Sequence, residues 1–317
     1  MASNSSNIAF IFPGQGSQSI GMMSDWGEHQ SIVDDCFKEA SEALGYDLKS
    51  IINDGPAEKL NQTQTTQPAM LASGVASYRV WSQTDMPEAD IYAGHSLGEY
   101  SALVCAGSLD FIDAIKLVAE RGRLMQSAVA EGEGAMAAII GLADEEVIKA
   151  CEMVTEGIVS AVNFNSPGQV VIAGNKVSVE RAMNNAKQLG AKRALPLPVS
   201  VPSHCALMSD AADALHQQLK QMTVRMPSQK VIHNQNAKQA TSEDEIRELL
   251  KLQLFQPVLW VDCVNHMKNS GVDTLIELGP GKVLTGLTRR IDKSMTAHPV
   301  FNIESLQKTK QILSENQ

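Results

Sequence analysis

The stretch ADIYAGHSLGEYSAL, residues 89–103, runs from an apolar segment through a tight turn into a helical pattern. Residues 89–93 read as a buried strand, Gly94-His95-Ser96-Leu97-Gly98 as a sharp turn, and the remainder as a helix ending at Gly107. The same grammar recurs outward from it. Residues 8–12 form another short apolar run, followed by the Gly-rich loop Pro13-Gly14-Gln15-Gly16-Ser17-Gln18. Helical patterns fill most of residues 30–83, with a break near Gly55-Pro56, and a further helix starts near Asp110, a suitable N-cap. Beyond Val201, strands are expected near 230–233, 258–261 and 273–277, and the polar tail from Gln307 is expected to be mobile. Strands alternating with helices predict an α/β protein built on a mainly parallel sheet, here of hydrolase-like form.

Residues 135–199 read differently. Strand patterns at 135–142, 158–164, 169–173 and 191–199 alternate with helical patterns at 144–155 and 176–189. Asn165-Ser166-Pro167-Gly168 makes a hairpin turn between the middle two strands, and two prolines suit the last strand to an edge. The order βαββαβ is the ferredoxin-like split unit. It predicts a small ferredoxin-like domain, 132–199, inserted into a discontinuous large domain of 1–131 and 200–317.

With 317 residues, 44% of them apolar, the chain is long enough to bury roughly three quarters of its unfolded surface. The net charge of −10 argues against non-specific nucleic-acid binding, which needs a basic footprint. Five cysteines without metal or redox spacing predict reduced thiols in a cytoplasmic protein. The opening residues MASNSSNIAFIFPGQG lack the pattern of a signal peptide, and no apolar run approaches the ~20 residues of a membrane span. No His-Glu-x-x-His or Cys-x-x-Cys occurs, so no metal is expected, and without a span-length apolar run no membrane association is expected either.

Gly94-His95-Ser96-Leu97-Gly98 fits G-x-S-x-G in the strand–turn–helix setting the motif requires. Such a turn presents the serine hydroxyl at the sheet edge. Small neighbours permit close backbone approach, and the helix N-terminus offers free N–H groups where an oxyanion would form. Ser96 is therefore the candidate nucleophile. A serine hydroxyl needs a base. His95 is adjacent and should point away, as a packed or hydrogen-bonded histidine. Of His29, His204, His216, His233, His266 and His298, His204 is favoured, because it follows a strand in Val201-Pro202-Ser203-His204-Cys205. Cys205 reads as a buried thiol.

Arg121 has Leu117, Val118, Leu124 and Met125 as helical neighbours, with Ala114 and Ala128 one further turn away on the same face. A charge in that apolar sector needs a partner. It is either a structural ion pair, or a stem packed with its head in water, or a guanidinium awaiting a substrate carboxylate. Two phosphate-type patterns fail. Gly14-Gln15-Gly16 would need a third glycine where Ser19 stands, and Gly281-Lys282 lacks both the earlier glycine, replaced by Ile276, and the following hydroxyl residue, replaced by Val283.

FPGQGSQ at 12–18, TQPA at 66–69, GHSLGEYSAL at 94–103, NSPGQVVIAG at 165–174, VPSHCALM at 201–208 and ELGPGKVLTGL at 277–287 occur in that order. Together they resemble the bacterial malonyl-CoA:acyl-carrier-protein transacylases and, less closely, the acyltransferase domains of polyketide and fatty-acid synthases. The resemblance covers roughly residues 7–305. It implies ping-pong malonyl transfer from malonyl-CoA to the phosphopantetheine thiol of acyl carrier protein in fatty-acid synthesis, with no bound cofactor and the coenzyme A thioester as substrate. In that reading Ser96 attacks, His204 is the base, and Gln253 orients it through its backbone carbonyl. Gln15 and the Leu97 N–H form the oxyanion hole, Arg121 binds the malonyl carboxylate, and Gln67 and Asn163 line the cleft. Ser203 stands where modular malonyl-specific domains often carry Phe, which leaves acyl choice mainly to Arg121.

Because carrier proteins are usually acidic, a local basic patch is expected despite the net charge. Lys192, Arg193, Arg289 and Arg290 are its candidates, against their being a solvated charged face. Two rivals remain. A serine hydrolase or thioesterase would usually show the order Ser, acid, His, and a non-catalytic carrier-binding subunit would not need Ser96, His204 and Arg121 together.

Overall fold

The structure, a computed structural model, describes residues 7–199 and 201–315; Ser200, at the expected domain boundary, and the first six residues of the opening stretch lie outside them. The described chain forms strands β1 (Ile8–Phe12), β2 (Ile91–Gly94), β3 (Gly134–Ile140), β4 (Val159–Ser166), β5 (Gln169–Asn175), β6 (Arg193–Pro196), β7 (Lys230–Ile232), β8 (Thr274–Leu278) and β9 (Thr296–Val300). They divide into two sheets, β7-β2-β1-β8-β9 and β4-β5-β3-β6.

Every pairing in the first sheet is parallel. The chain steps outward from β1 through β2 to β7, then returns to the other side of β1 for β8 and β9. The carboxyl ends of all five strands therefore share one edge, and the order reverses at β1, where open α/β sheets bind ligands. β1 is buried along its whole length, which explains its unbroken apolar sequence. Its faces serve different layers. Phe10 and Phe12 pack with Trp81, Tyr92 and Tyr100, while Ala9 and Ile11 pack with Ile232, Trp260 and Leu275.

The second sheet is antiparallel throughout, in the order expected of the split βαββαβ unit, with β6 and its prolines at an edge. Alternation gives it two faces. Ala137, Ile139, Val170 and Ile172 meet the helices Asp144–Glu152 and Lys176–Gln188, whereas Met136, Val171 and Ala173 turn the other way, beside Cys205. The small sheet is tied through backbone to the loop ahead of the helix Trp260–Asn269. Phe164 donates to the Val258 carbonyl at 3.0 Å, and Val258 donates to that of Val162 at 2.9 Å.

That junction corrects one expectation. Residues 258–261 are not a strand of the large sheet, because the backbone of Val258 is taken by β4 and a helix, Trp260–Asn269, follows at once. The tail differs too. Ile303–Glu315 is a helix that buries Leu306, Thr309 and Leu313 on one face, opened by Asn302 Oδ1 accepting from the Ser305 N–H. β9, with Pro299 in it, was not apparent as a strand; it lies at the sheet edge, where a missing donor is tolerated.

The turn after β2 is steric in origin. A Cβ on Gly98 would lie 2.0 Å from the Phe12 carbonyl oxygen, and one on Gly94 would lie 1.9 Å from the carbonyl group of Gly98. Gly98→Ala is expected to lower the unfolding free energy by about 3 kcal/mol, the upper part of the usual overpacking range. Gly286→Ala, in the helix Val283–Ile291 with open space around the new methyl, should instead raise it by roughly 0.5–1 kcal/mol. Urea unfolding of both variants tests this, and equal effects would contradict the contact.

Candidate active site

Ser96 sits between β2 and the helix Gly98–Cys105 with φ of +52°, a left-handed conformation that costs a β-carbon residue roughly 1–3 kcal/mol. Neighbouring polar groups hold it there. The Ser96 N–H donates to Asn234 Oδ1 at 2.6 Å, and Asn234 Nδ2 donates to the Gly94 carbonyl at 2.7 Å. Asn234 follows β7, the strand beside β2. Along the turn, the N–H groups of His95, Gly98, Glu99 and Tyr100 bond to the carbonyls of Phe12, His95, Ser96 and Leu97. The Leu97 N–H is the one from His95 to Tyr100 without a partner among the described contacts, and Leu97 lines a cavity with Ser96.

His204, buried and itself left-handed at φ +64°, brings Nε2 to 2.7 Å from Ser96 Oγ. Its Nδ1 lies 2.5 Å from the Gln253 carbonyl oxygen. A carbonyl only accepts, so Nδ1 carries the hydrogen and Nε2 is left to accept the serine proton. Burial, then the charge of Arg121, hold the imidazole pKa down at about 3, against the raising effect of the Gln253 bond. The ring is therefore neutral at ordinary pH, as a base must be. Among the described residues no carboxylate completes a triad. His95 points elsewhere, with Nε2 at 2.8 Å from Asn165 Oδ1 and its ring edge against Trp260. Cys205 is buried, donates to the Pro202 carbonyl, and has its thiol pKa pushed up to about 11 by burial.

Arg121 is 1% exposed and forms no ion pair among the described residues. Its two terminal nitrogens donate to neutral amides, Gln67 Oε1 at 2.8 Å and Gln253 Oε1 at 3.0 Å, and its guanidinium lies 5.4 Å from the Tyr100 ring centre. Nε has no partner. Burial pushes the guanidinium below its usual pKa, with Tyr100 and Glu99 opposing it.

These groups face one cavity of about 530 Å³. Gln15, Ser96, Leu97, Arg121, Met125 and His204 form its large-sheet side; Met136, Asn163, Asn165 and Val171 of the small sheet form the other. Gln15 is exposed, with only a long 3.5 Å contact from Nε2 to Thr63. Gln67 does not reach the wall: it is fully buried behind Arg121, its Nε2 directed to Met125 Sδ. Lys192, Arg193, Arg289 and Arg290 are all exposed, and Arg290 reaches Gln169 of β5 at 2.5 Å. The helix carrying Arg289 and Arg290 also contributes Val283, Leu284 and Leu287 to the cavity. Its N-terminus is already filled, because Glu277 accepts from the N–H groups of Leu284 and Thr285, so the Gly281-Lys282 pattern cradles a carboxylate of the chain itself.

Sequence reasoning missed Glu99, Asn234 and the side chain of Gln253. Glu99 is the sole charge in the helix Gly98–Cys105, and Asn234 lies two residues past the end of β7, at the carboxyl edge of the sheet. Those were the available signals.

The pattern of the acyl transferase domain family matches residues 9–311. The malonyl CoA-acyl carrier protein transacylase of Escherichia coli K12 is 58% identical over 291 residues, covering 92% of this chain and 94% of that protein. An acyl carrier protein S-malonyltransferase of Vibrio cholerae superposes with a TM-score of 0.94 at 55% identity, covering 96% of this chain and all of that one. A malonyl-transacylase solved in complex with its type II polyketide acyl-carrier protein superposes equally well, at 52% identity over 96% of this chain and 98% of that one.

The low pKa of His204 has a consequence for stability. In the unfolded chain this imidazole takes a proton near pH 6.5, and in the folded protein only near 3. Between those values the unfolded state binds more protons, so stability falls as pH drops, by about 1.4 kcal/mol per pH unit from this group. Above pH 6.5 the effect vanishes. Urea unfolding between pH 6.5 and 4.5 should show a shallower loss for His204→Gln than for wild type. Parallel losses would mean that the native ring titrates in the ordinary range.

Proposed function

Because this chain belongs to the malonyl CoA-acyl carrier protein transacylases of the acyl transferase domain family, we propose a role for each cavity residue in that reaction. The enzyme transfers a malonyl group from malonyl-CoA to acyl carrier protein, for fatty-acid synthesis. In our assignment Ser96 Oγ attacks the thioester carbonyl as His204 Nε2 takes its proton. The Leu97 N–H and Gln15 Nε2 hold the oxyanion. Collapse expels coenzyme A, whose sulfur recovers the proton from His204. The carrier thiol then gives its proton to His204 and attacks the malonyl-serine ester, and the proton returns to Ser96. Each half-reaction begins and ends with neutral His204. Thioester replaces thioester, so the transfer is reversible and needs no energy source.

Arg121 carries the choice of acyl group. A buried guanidinium on the cavity wall, held by two neutral amides and paired with no carboxylate, is the single observation that supports this reading most strongly. A malonyl carboxylate supplies the missing charge through a two-pronged bond. Asn163 lines the acyl cleft, and Gln67 supports Arg121 from behind. Gln253 orients His204 through its carbonyl. The small unit, which we bound at 132–199 within 1–131 and 200–317, walls off one side of the cleft and so limits hydrolysis of the acyl-enzyme.

We assign Lys192, Arg193, Arg289 and Arg290 to docking of the acidic carrier; the helix bearing the last two also walls the cavity. No described helix is long and apolar enough to cross a membrane, and all five cysteines are unpaired. On those grounds we place the enzyme in the cytoplasm.

Intact-mass measurement after mixing with malonyl-CoA should show a malonyl adduct that acyl carrier protein removes. Ser96→Ala should abolish the adduct and lower turnover by several orders of magnitude. An adduct persisting on that variant would move the nucleophile elsewhere. Arg121→Ala should weaken malonyl over acetyl transfer by roughly 2–5 kcal/mol, or about 30- to 4000-fold in the ratio of kcat/KM values. Equal losses for both acyl groups would remove Arg121 from carboxylate recognition.

A further inference from the structure

We propose that Glu99 is the positioning residue that couples the nucleophile turn to the acyl-selecting arginine, acting through the side-chain amide of Gln253 and through Asn234. Glu99 is wholly buried, one helical turn beyond Ser96, and plays no part in proton transfer. Its Oε1 receives His233 Nδ1 at 2.8 Å, and its Oε2 receives the Asn234 N–H at 2.9 Å and Gln253 Nε2 at 2.8 Å. Two of these three partners touch the working groups directly. Asn234 Oδ1 takes the Ser96 N–H, and Gln253 reaches three ways: Nε2 to the Ser96 carbonyl at 3.0 Å, Oε1 to Arg121, and backbone carbonyl to His204.

The inference turns on the polarity of one amide. Gln253 can face Arg121 with an oxygen or with an NH₂ group. Only the oxygen holds the guanidinium, and a flipped amide would set donor against donor. A carboxylate on the far side accepts and cannot donate, so Glu99 fixes NH₂ toward itself and oxygen toward Arg121. The Ser96 carbonyl favours the same orientation. The chain carboxylate–amide–guanidinium thus aims Arg121 into the cavity without placing a negative charge against it. A carboxylate in direct contact would occupy the bonds that a substrate needs. Glu99 lies one residue farther back and leaves them open. Its third partner, His233, is buried with Nε2 unpaired and touches none of the groups that meet substrate.

This inference rests on the assignment of Arg121 to the malonyl carboxylate, and the test separates the two. Ser96 acylation would be timed with malonyl-CoA and acetyl-CoA for wild type, Glu99→Met, Glu99→Gln, His233→Met and Arg121→Ala, with thermal unfolding measured alongside. Glu99→Met removes every acceptor at similar volume and should lower the malonyl-to-acetyl rate ratio tenfold or more. Glu99→Gln can keep an acceptor toward Gln253 and should fall between it and wild type. His233→Met removes a Glu99 contact but leaves the one to Gln253, so it should lower the melting temperature while keeping the ratio. In an Arg121→Ala background, Glu99→Met should change the ratio no further.

If Glu99→Met does not fold, Glu99→Gln decides, and its ratio should still drop about threefold. An unchanged ratio in the folded Glu99 variants, or an equal fall for His233→Met, would overturn the proposal. An unchanged ratio in Arg121→Ala alone would instead overturn the assignment on which it rests.

Discussion

The approach of Gly98 to the Phe12 carbonyl is the contact on which the active site depends. It exists because β1 and β2 are parallel neighbours whose ends finish at one level, with Phe12 opposite Gly94 in register. The chain leaving β2 must turn over the end of β1, and no side chain fits there. Ser96 is forced into a left-handed conformation at the crest, where its hydroxyl stands clear of the sheet. Asn234, just past the next parallel strand, offsets that strain by binding both sides of the turn. One sheet edge thus supplies Ser96, the nucleophile we propose, its support and, after β1, Gln15.

Behind that edge Glu99, Asn234 and Gln253 satisfy one another, as burial demands. What is left unmatched in the cavity wall is informative. The Leu97 N–H stands beside Ser96, and Arg121 is a cation without an anion, with Nε unbonded. Both lie on the cavity, where a thioester oxygen and a carboxylate would complete them. Contrast the helix Val283–Ile291. Its opening N–H groups are met by Glu277, so a sequence that resembles a phosphate loop is chemically closed.

How much of this was legible in the sequence follows the range of the interactions. The turn at Ser96 could be read because its cause is local: two glycines at fixed spacing between an apolar run and a helix. Arg121 stood out because a charge interrupted a helical apolar sector, although only the structure shows that no acid answers it. His204 was favoured only by its place after a strand until the family resemblance was added, since its meeting with Ser96 spans 108 residues. Glu99 and Gln253, 154 residues apart, carry no periodic signal of their contact. Val258 shows the reverse error. An apolar segment after Pro257 resembled a strand of the large sheet, yet its backbone is taken by the small one. The tail was misjudged on polarity alone, when Leu306 and Leu313, two turns apart, already shared one face of a helix.

In the role we propose for it, the charge of Arg121 acts on His204 as well as on the substrate. It is the second contributor, after burial, to the low basicity of His204. During attack His204 must become an imidazolium, and an uncompensated guanidinium nearby opposes that change. With the malonyl group assigned to Arg121, its carboxylate neutralises the guanidinium before attack begins, and the imidazolium forms against a smaller field. An acetyl group brings no such charge and meets the full opposition. Discrimination made in this way appears in the transition state and not only in binding, which is where an enzyme gains rate from it. Neutral amides from Gln67 and Gln253 are the partners this arrangement requires. A carboxylate permanently paired with Arg121 would relieve His204 for every acyl group alike, and the selectivity would be lost with the empty charge.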